Sequence, residues 1–223
     1  MPRLITQTIV ADFRTRLCDV AAELYAATGR DGFNMRELAK RLRVSPMTAY
    51  RYFRDKDEIL AALRARAFAR FAAGLEAALD APSPRQRSAA LTHAYGEFVR
   101  QEEAGYRLMF DLFQPPVPGV PELAVEERRA RAAMTEYARL MVRDGWYDGE
   151  PDLIGDVFWS ALHGVAALHL ARKQADFDRV LNETVRALGQ AYRSGGRAGE
   201  DWQPLAREAT LNGRSGIGHL PAE

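Results

Sequence analysis

Apolar residues recur at three- and four-residue steps through most of the chain, the spacing of helices that bury one face. The first stripe is Ile9, Phe13, Leu17, Val20, Ala21 and Leu24, and Gly29 and Gly32 are placed to end it. Asn34-Met-Arg-Glu37 reads as a capping box that opens a short second helix ending near Leu42. Ser45 and Pro46 suit the cap and first turn of a third helix, which reaches only Tyr52 or Phe53. Asp55, with Glu58 three positions on, starts a fourth helix running to about Ala78. Beyond the joint Ala81-Pro-Ser-Pro84, helices are predicted near 86–102, 104–113, 121–144, 151–173 and 176–193. No alternating strand pattern stands out.

The predicted fold is therefore all-α, a three-helix N-terminal domain followed by a larger helical bundle. The expected division is 1–55, with helix four (56–78) as the connector, then a body over 79–193. The Gly-rich and polar stretch 194–223 is expected to be weakly ordered, although Trp202 and Leu205 offer it a means of docking.

Charge sharpens this division. The net charge of +1 splits into +6 over residues 1–70 and −5 over the remainder. A basic third on an acidic body fits a polyanionic partner, and fits chance clustering of surface charge about as well. No apolar run approaches the roughly 18 residues of a membrane span, and the N-terminus lacks the apolar core of a signal peptide. A cytoplasmic location without membrane attachment is expected. Cys18 is the single cysteine, so an intrachain disulfide is excluded and a thiolate metal site is not expected. His93, His163, His169 and His219 show no metal-ligand spacing. Nucleophile-elbow and phosphate-loop motifs are absent too, so neither an enzyme nor a bound cofactor is expected.

The informative stretch is FNMRELAKRLRVSPMTAYRYFRDKDEILAAL, Phe33 to Leu63. Two short helices joined by a tight turn, the second basic and rich in hydroxyls, have the layout of a helix-turn-helix. Leu38, Ala39, Leu42, Val44, Ala49 and Phe53 are the small and apolar positions that would pack the pair. A plain helical hairpin with locally packed tyrosines is the competing reading. The run V-S-P-M-T-A-Y-R-Y-F-R-D-K-D-E-I-L resembles the signature of the TetR family of regulators, and the match extends over about residues 9–63. The resemblance implies a homodimer on double-stranded DNA with a C-terminal domain that holds a small-molecule effector. It implies base contacts from Pro46, Met47, Tyr50 and Arg51. Ser45, Thr48, Tyr52 and Lys56 would contact the backbone, with Asn34 or Met35 assisting and Tyr50 able to serve both roles. Where the family has glycine in the turn, this chain has Arg43, which would gain a phosphate contact in a conformation costing roughly 1 kcal/mol.

The body carries Trp159-x-x-x-His163-Gly164, which resembles a C-terminal subfamily of these regulators marked by those three residues. Trp159 and His163, four apart, share a helix face, and Gly164 would admit another backbone. Either they line a pocket or they only pack. Aromatic and methionine residues are dense between 95 and 141, a composition suited to a flat or lipophilic ligand and equally to ordinary core. The candidate effector residues are His93, Tyr106, Arg107, Phe110, Phe113, Tyr137, Trp159 and His163. The last two long helices are the expected dimer interface, with Val180, Leu181, Thr184, Val185, Leu188 and Tyr192 on the second. By family habit the protein would repress, and the effector would release it from a palindromic operator. The rival is a DNA-binding protein governed by a protein partner, without a pocket.

Overall fold

The computed structural model describes residues 7–111, 120–172 and 176–195. Helix α1 (Gln7–Gly32) is broken at Gly29, whose φ of 65° suits a residue without a Cβ. Helices α2 (Met35–Leu42) and α3 (Pro46–Tyr50) follow, then the long α4 (Lys56–Leu79). The body adds α5 (Pro84–Gln101), α6 (Glu103–Met109), α7 (Pro121–Arg143), α8 (Pro151–Arg172) and α9 (Phe177–Ala191). The fold is all-α.

Local chemistry sets the helix starts. Asn34, Ser45, Asp55 and Ser83 each accept a hydrogen bond from the backbone N–H three residues on, which satisfies one orphan donor of the first turn. The expected capping box forms on the Asn34 side, while the Glu37 carboxylate pairs with Lys40 and Arg41. Helix three stops at Tyr50 rather than Tyr52 or Phe53, because the N–H groups of Arg51 and Tyr52 turn back to Thr48 and Ala49.

Two apolar cores result. The N-terminal core gathers Leu17, Ala21 and Leu24 of α1 around Leu38, Leu42, Ala49, Phe53 and Ile59. Ile9, expected in that stripe, is 50% exposed, so the buried face of α1 starts further along. The body core holds Phe68 and Phe71 of α4, Tyr95, Tyr106, Tyr137 and Phe158. Each such side chain contributes about 1.5–3 kcal/mol by leaving water. Helix α4 runs from one core into the other, and so does short α6: Leu108 belongs to the first, Tyr106 and Met109 to the second. Gly155 lets α8 approach α7, since a Cβ there would lie 2.9 Å from the Thr135 Cα. Arg87 is buried and staples the α4–α5 turn to the end of α7, donating to the Leu79 and Ala81 carbonyls and to Asp144 at 2.9 Å. That guanidinium holds the Asp144 carboxyl below its usual range.

Average composition gives α8 the length and hydropathy of a membrane span, although no consecutive apolar run has that length. In the fold its Ile154, Phe158, Leu162, Ala166 and Leu170 stripe is spent on the body core.

Candidate nucleic-acid interface and effector site

The turn between α2 and α3 is built on Arg43. Its backbone is left-handed (φ 56°, ψ 41°), and it is the one non-glycine residue with positive φ among the described residues. Its N–H returns to the Lys40 carbonyl at 3.0 Å and that of Val44 to the Ala39 carbonyl at 3.0 Å, so the turn closes over the small Ala39. Ser45 Oγ then accepts from the Thr48 N–H at 3.2 Å and lies 2.9 Å from the Thr48 hydroxyl.

Along α3 the side chains divide sharply. Ala49 is fully buried, whereas Met47 is 70% and Tyr50 46% exposed, with Pro46 and Arg51 exposed beside them. The end of α3 is held from α1. Tyr52 packs on Phe13 with ring centroids 4.6 Å apart, and Arg14 donates to the Tyr52 carbonyl at 3.1 Å. The Arg14 guanidinium also lies 4.2 Å from the centre of the Phe53 ring.

Other expected backbone contacts are placed differently. Met35 is buried in the N-terminal core, because it is the first inward position of α2, so only Asn34 remains at that helix start. Lys56 is half-buried, and its ammonium donates to the Arg30 carbonyl at the end of α1. Sequence reasoning missed Arg36 and Lys40. Arg36 and Lys40 fall at i and i+4 of α2, exposed on one basic face, with Arg43 exposed in the turn just beyond, a spacing readable in the chain itself.

In the body, four of the expected effector residues meet. The Tyr106 hydroxyl lies 2.7 Å from the Tyr95 hydroxyl and 3.0 Å from His163 Nδ1. Phe110 packs on His163 at 4.2 Å between centroids and on Trp159 at 5.8 Å. Burial raises the Tyr95 and Tyr106 hydroxyls far above their ordinary range and lowers the His163 imidazole below its own. A cavity of about 220 Å³ opens beside this cluster, lined by Phe68, Met109, Phe110 and Trp159 with Asp111, Glu127 and Arg131.

The remaining candidates lie elsewhere. His93 is exposed in the groove between α5 and α9, beside Arg100 and Asp178. Arg107 is exposed and tied to Glu103 and the Leu170 carbonyl, so it braces α6 against α8. Tyr137 is buried in a separate aromatic group, bonded to the Tyr147 hydroxyl at 3.0 Å and edge-on to Phe158. Phe113 lies outside the described residues.

Residues 17–63 match the sequence model described as bacterial regulatory proteins of the tetR family. Residues 88–188 match the one described as the tetracyclin repressor-like C-terminal domain, so the two together span about two thirds of the chain. The chain belongs to the TetR family. It is a DNA-binding transcriptional regulator of the TetR type.

Among curated proteins, this TetR-family chain is 30% identical over 117 residues to the HTH-type transcriptional activator FasR of Mycolicibacterium smegmatis. That match spans 51% of this chain and 53% of FasR, about half the length of that relative. The HTH-type transcriptional regulator UidR of Escherichia coli is 25% identical over 196 residues, covering 82% of this chain and 95% of UidR. The crystal structure of the TetR family regulator PfmR from Thermus thermophilus superposes with a TM-score of 0.63 at 19% identity. It covers 78% of this chain and 96% of PfmR, a likeness of fold. Among the described residues no three His, Cys, Asp or Glu side chains are grouped as metal ligands.

Proposed function

We propose that this TetR-type regulator acts as a homodimer on a palindromic operator and represses until a small molecule in the body releases it. The carrying observation is the outer edge of α3: Met47 and Tyr50, two large side chains left exposed beside Pro46 and Arg51 on the basic third of the chain. In this reading those four residues read bases, and Arg43, Ser45 and Thr48 grip phosphates alongside the basic face of α2. Two recognition helices about 34–36 Å apart would then enter successive major grooves.

The dimer reading rests on the outer faces of α8 and α9. Leu153, Leu168 and Val180 are large, apolar and exposed, and among the described residues nothing outside its own stretch of helix backbone lies within 4 Å of a Cβ built on Gly164. Leu181 and Val185, expected on that interface, are buried within their own chain. The effector reading rests on α6, whose Tyr106 meets His163 in the body while its Leu108 sits in the N-terminal core. A ligand that displaces Phe110 or Tyr106 would move α6 and shift the population of DNA-competent spacings.

Genomic footprinting with the purified protein should yield a palindromic site, and the Tyr50→Ala, Arg51→Ala double variant should bind it at least tenfold more weakly. Undiminished binding by that variant would remove α3 as the reading helix.

A further inference from the structure

A groove of about 490 Å³ runs between the start of α5, the end of α7 and the last turns of α9. Its charge is out of character with the body. Residues 71–223 carry a net −5, yet the groove is lined by Arg85, Arg186 and Arg193 against one carboxylate, that of Glu183. Arg186 is shared with that Glu183 at 2.5 Å on its own helix. Arg85 and Arg193 have no carboxylate partner among the described residues. The groove also offers apolar surface: Trp146 is 39% exposed in it, and the buried Met141 and Val185 complete that part of the lining. Backbone bonds hold this end in place. Asp148 donates to the Tyr192 carbonyl at 2.8 Å and Ser194 to the Trp146 carbonyl at 3.0 Å. They keep the Arg193 guanidinium 5.7 Å from the centre of the Trp146 ring.

Position narrows the occupant. Helix α4 leads away from the DNA-reading end for 24 residues, about 36 Å, and Arg85 follows the turn at its far end, so operator DNA gripped by α3 does not reach the groove. A second copy is not placed to cover it either. Asn182, Arg186 and Gly189 of α9 line the groove, whereas Val180, expected on the dimer face, is two positions from Asn182 and so about 200° around the helix. Pairing the groove on itself about a two-fold axis would set arginines against arginines. Arg85 stands on α5 and Arg193 beyond the end of α9, so the two unpaired guanidiniums belong to different walls.

We propose that this groove docks an acidic segment of a partner protein, with one carboxylate on Arg85, another on Arg193 and an apolar side chain against Trp146. Guanidinium forks take carboxylates in charge-assisted pairs, and arginine clusters are a recurring means of holding acidic peptides. Tryptophan and arginine are also among the residue types that carry most of the energy of protein interfaces. The groove shares no lining residue with the cavity beside Phe110, so it stands apart from the effector reading. An operator-bound dimer would present two such grooves on the ends of its bodies far from the DNA.

Fluorescence anisotropy of the full chain with short labelled peptides tests this. One peptide carries glutamate at every third position with leucine and serine between, and glutamine or lysine replaces the glutamates in the other two. The glutamate peptide should bind at least tenfold tighter than the glutamine peptide, and the lysine peptide weakest of all. Arg85→Gln with Arg193→Gln should abolish that advantage and leave the glutamine peptide unchanged, while Trp146→Ala should weaken both. All three side chains are exposed, and an unshifted thermal unfolding curve confirms that the variants fold. The docking site is overturned if glutamate has no advantage or if its advantage survives the arginine double variant. It is overturned equally if free glutarate or a random-sequence duplex displaces the glutamate peptide as well as the unlabelled peptide does. A double variant that becomes monomeric in sedimentation velocity would assign the groove to a second copy instead.

Discussion

The hydroxyl chain from Tyr95 through Tyr106 to His163 makes a prediction about which tyrosine matters more. Tyr95 is wholly buried and its hydroxyl has one partner, the Tyr106 hydroxyl at 2.7 Å. Tyr106 has two, the second being His163 Nδ1 at 3.0 Å. Tyr95→Phe removes one hydrogen bond but leaves Tyr106 bonded to His163, so it should cost about 0.5–1.5 kcal/mol. Tyr106→Phe keeps the ring contacts to Phe71, Phe98 and Phe110 but orphans a hydroxyl that water cannot reach, at about 1–3 kcal/mol. His163 is only half-buried, so its ring nitrogen can turn to solvent. Adding Tyr95→Phe to Tyr106→Phe removes the orphan, and the double variant should be no less stable than Tyr106→Phe alone. Equilibrium urea unfolding followed by circular dichroism, at one fixed protein concentration because a dimer's stability depends on it, gives the cycle. Two results would refute the reasoning: costs that add within about 0.5 kcal/mol, or a Tyr95→Phe loss larger than that of Tyr106→Phe.

Three further outcomes follow from named residues. Arg43→Gly should raise the urea midpoint by relieving roughly 1 kcal/mol of left-handed strain, while operator binding should show a salt slope smaller by about one phosphate contact; a lowered midpoint contradicts the strain. Leu168→Glu with Val180→Glu should yield monomers in sedimentation velocity, and a persisting dimer would move the interface elsewhere. His163 has a lowered folded pKa, so the unfolded chain binds the proton more readily and stability rises with pH. The stabilisation is present above the unfolded value of about 6.5 and is lost as pH falls through that value toward the folded one. His163→Gln should therefore lose less stability than the wild type between pH 7.5 and 5.5, and an equal loss counts against burial as the cause.

Much of the helical framework was legible in the chain because its signals are local. A cap contacts a backbone N–H three residues away, and Asn34, Ser45 and Asp55 announced themselves by residue type and spacing. Arg43 stood out as an irregular point through the family resemblance, because it stands where the family has glycine, and its backbone is left-handed in the structure. The all-α class and the Leu38–Phe53 packing positions followed from periodicity alone.

Tertiary structure decided everything that depends on distance along the chain. The family resemblance made Met35 a plausible DNA contact and periodicity made Leu181 a plausible dimer residue, but contacts with other helices bury both. Lys56 reads as a surface cation until α1 ends beside it and offers the Arg30 carbonyl. Among the eight effector candidates, spacing had joined only Trp159 and His163 on one helix face, and the crossing of α5, α6 and α8 brought Tyr106 and Phe110 to them while leaving His93 and Tyr137 apart. Sequence by itself determined the helices and their caps, whose energies close within a turn or two of backbone. Which faces meet was decided by contacts between residues far apart in the chain, 57 positions for Tyr106 and His163.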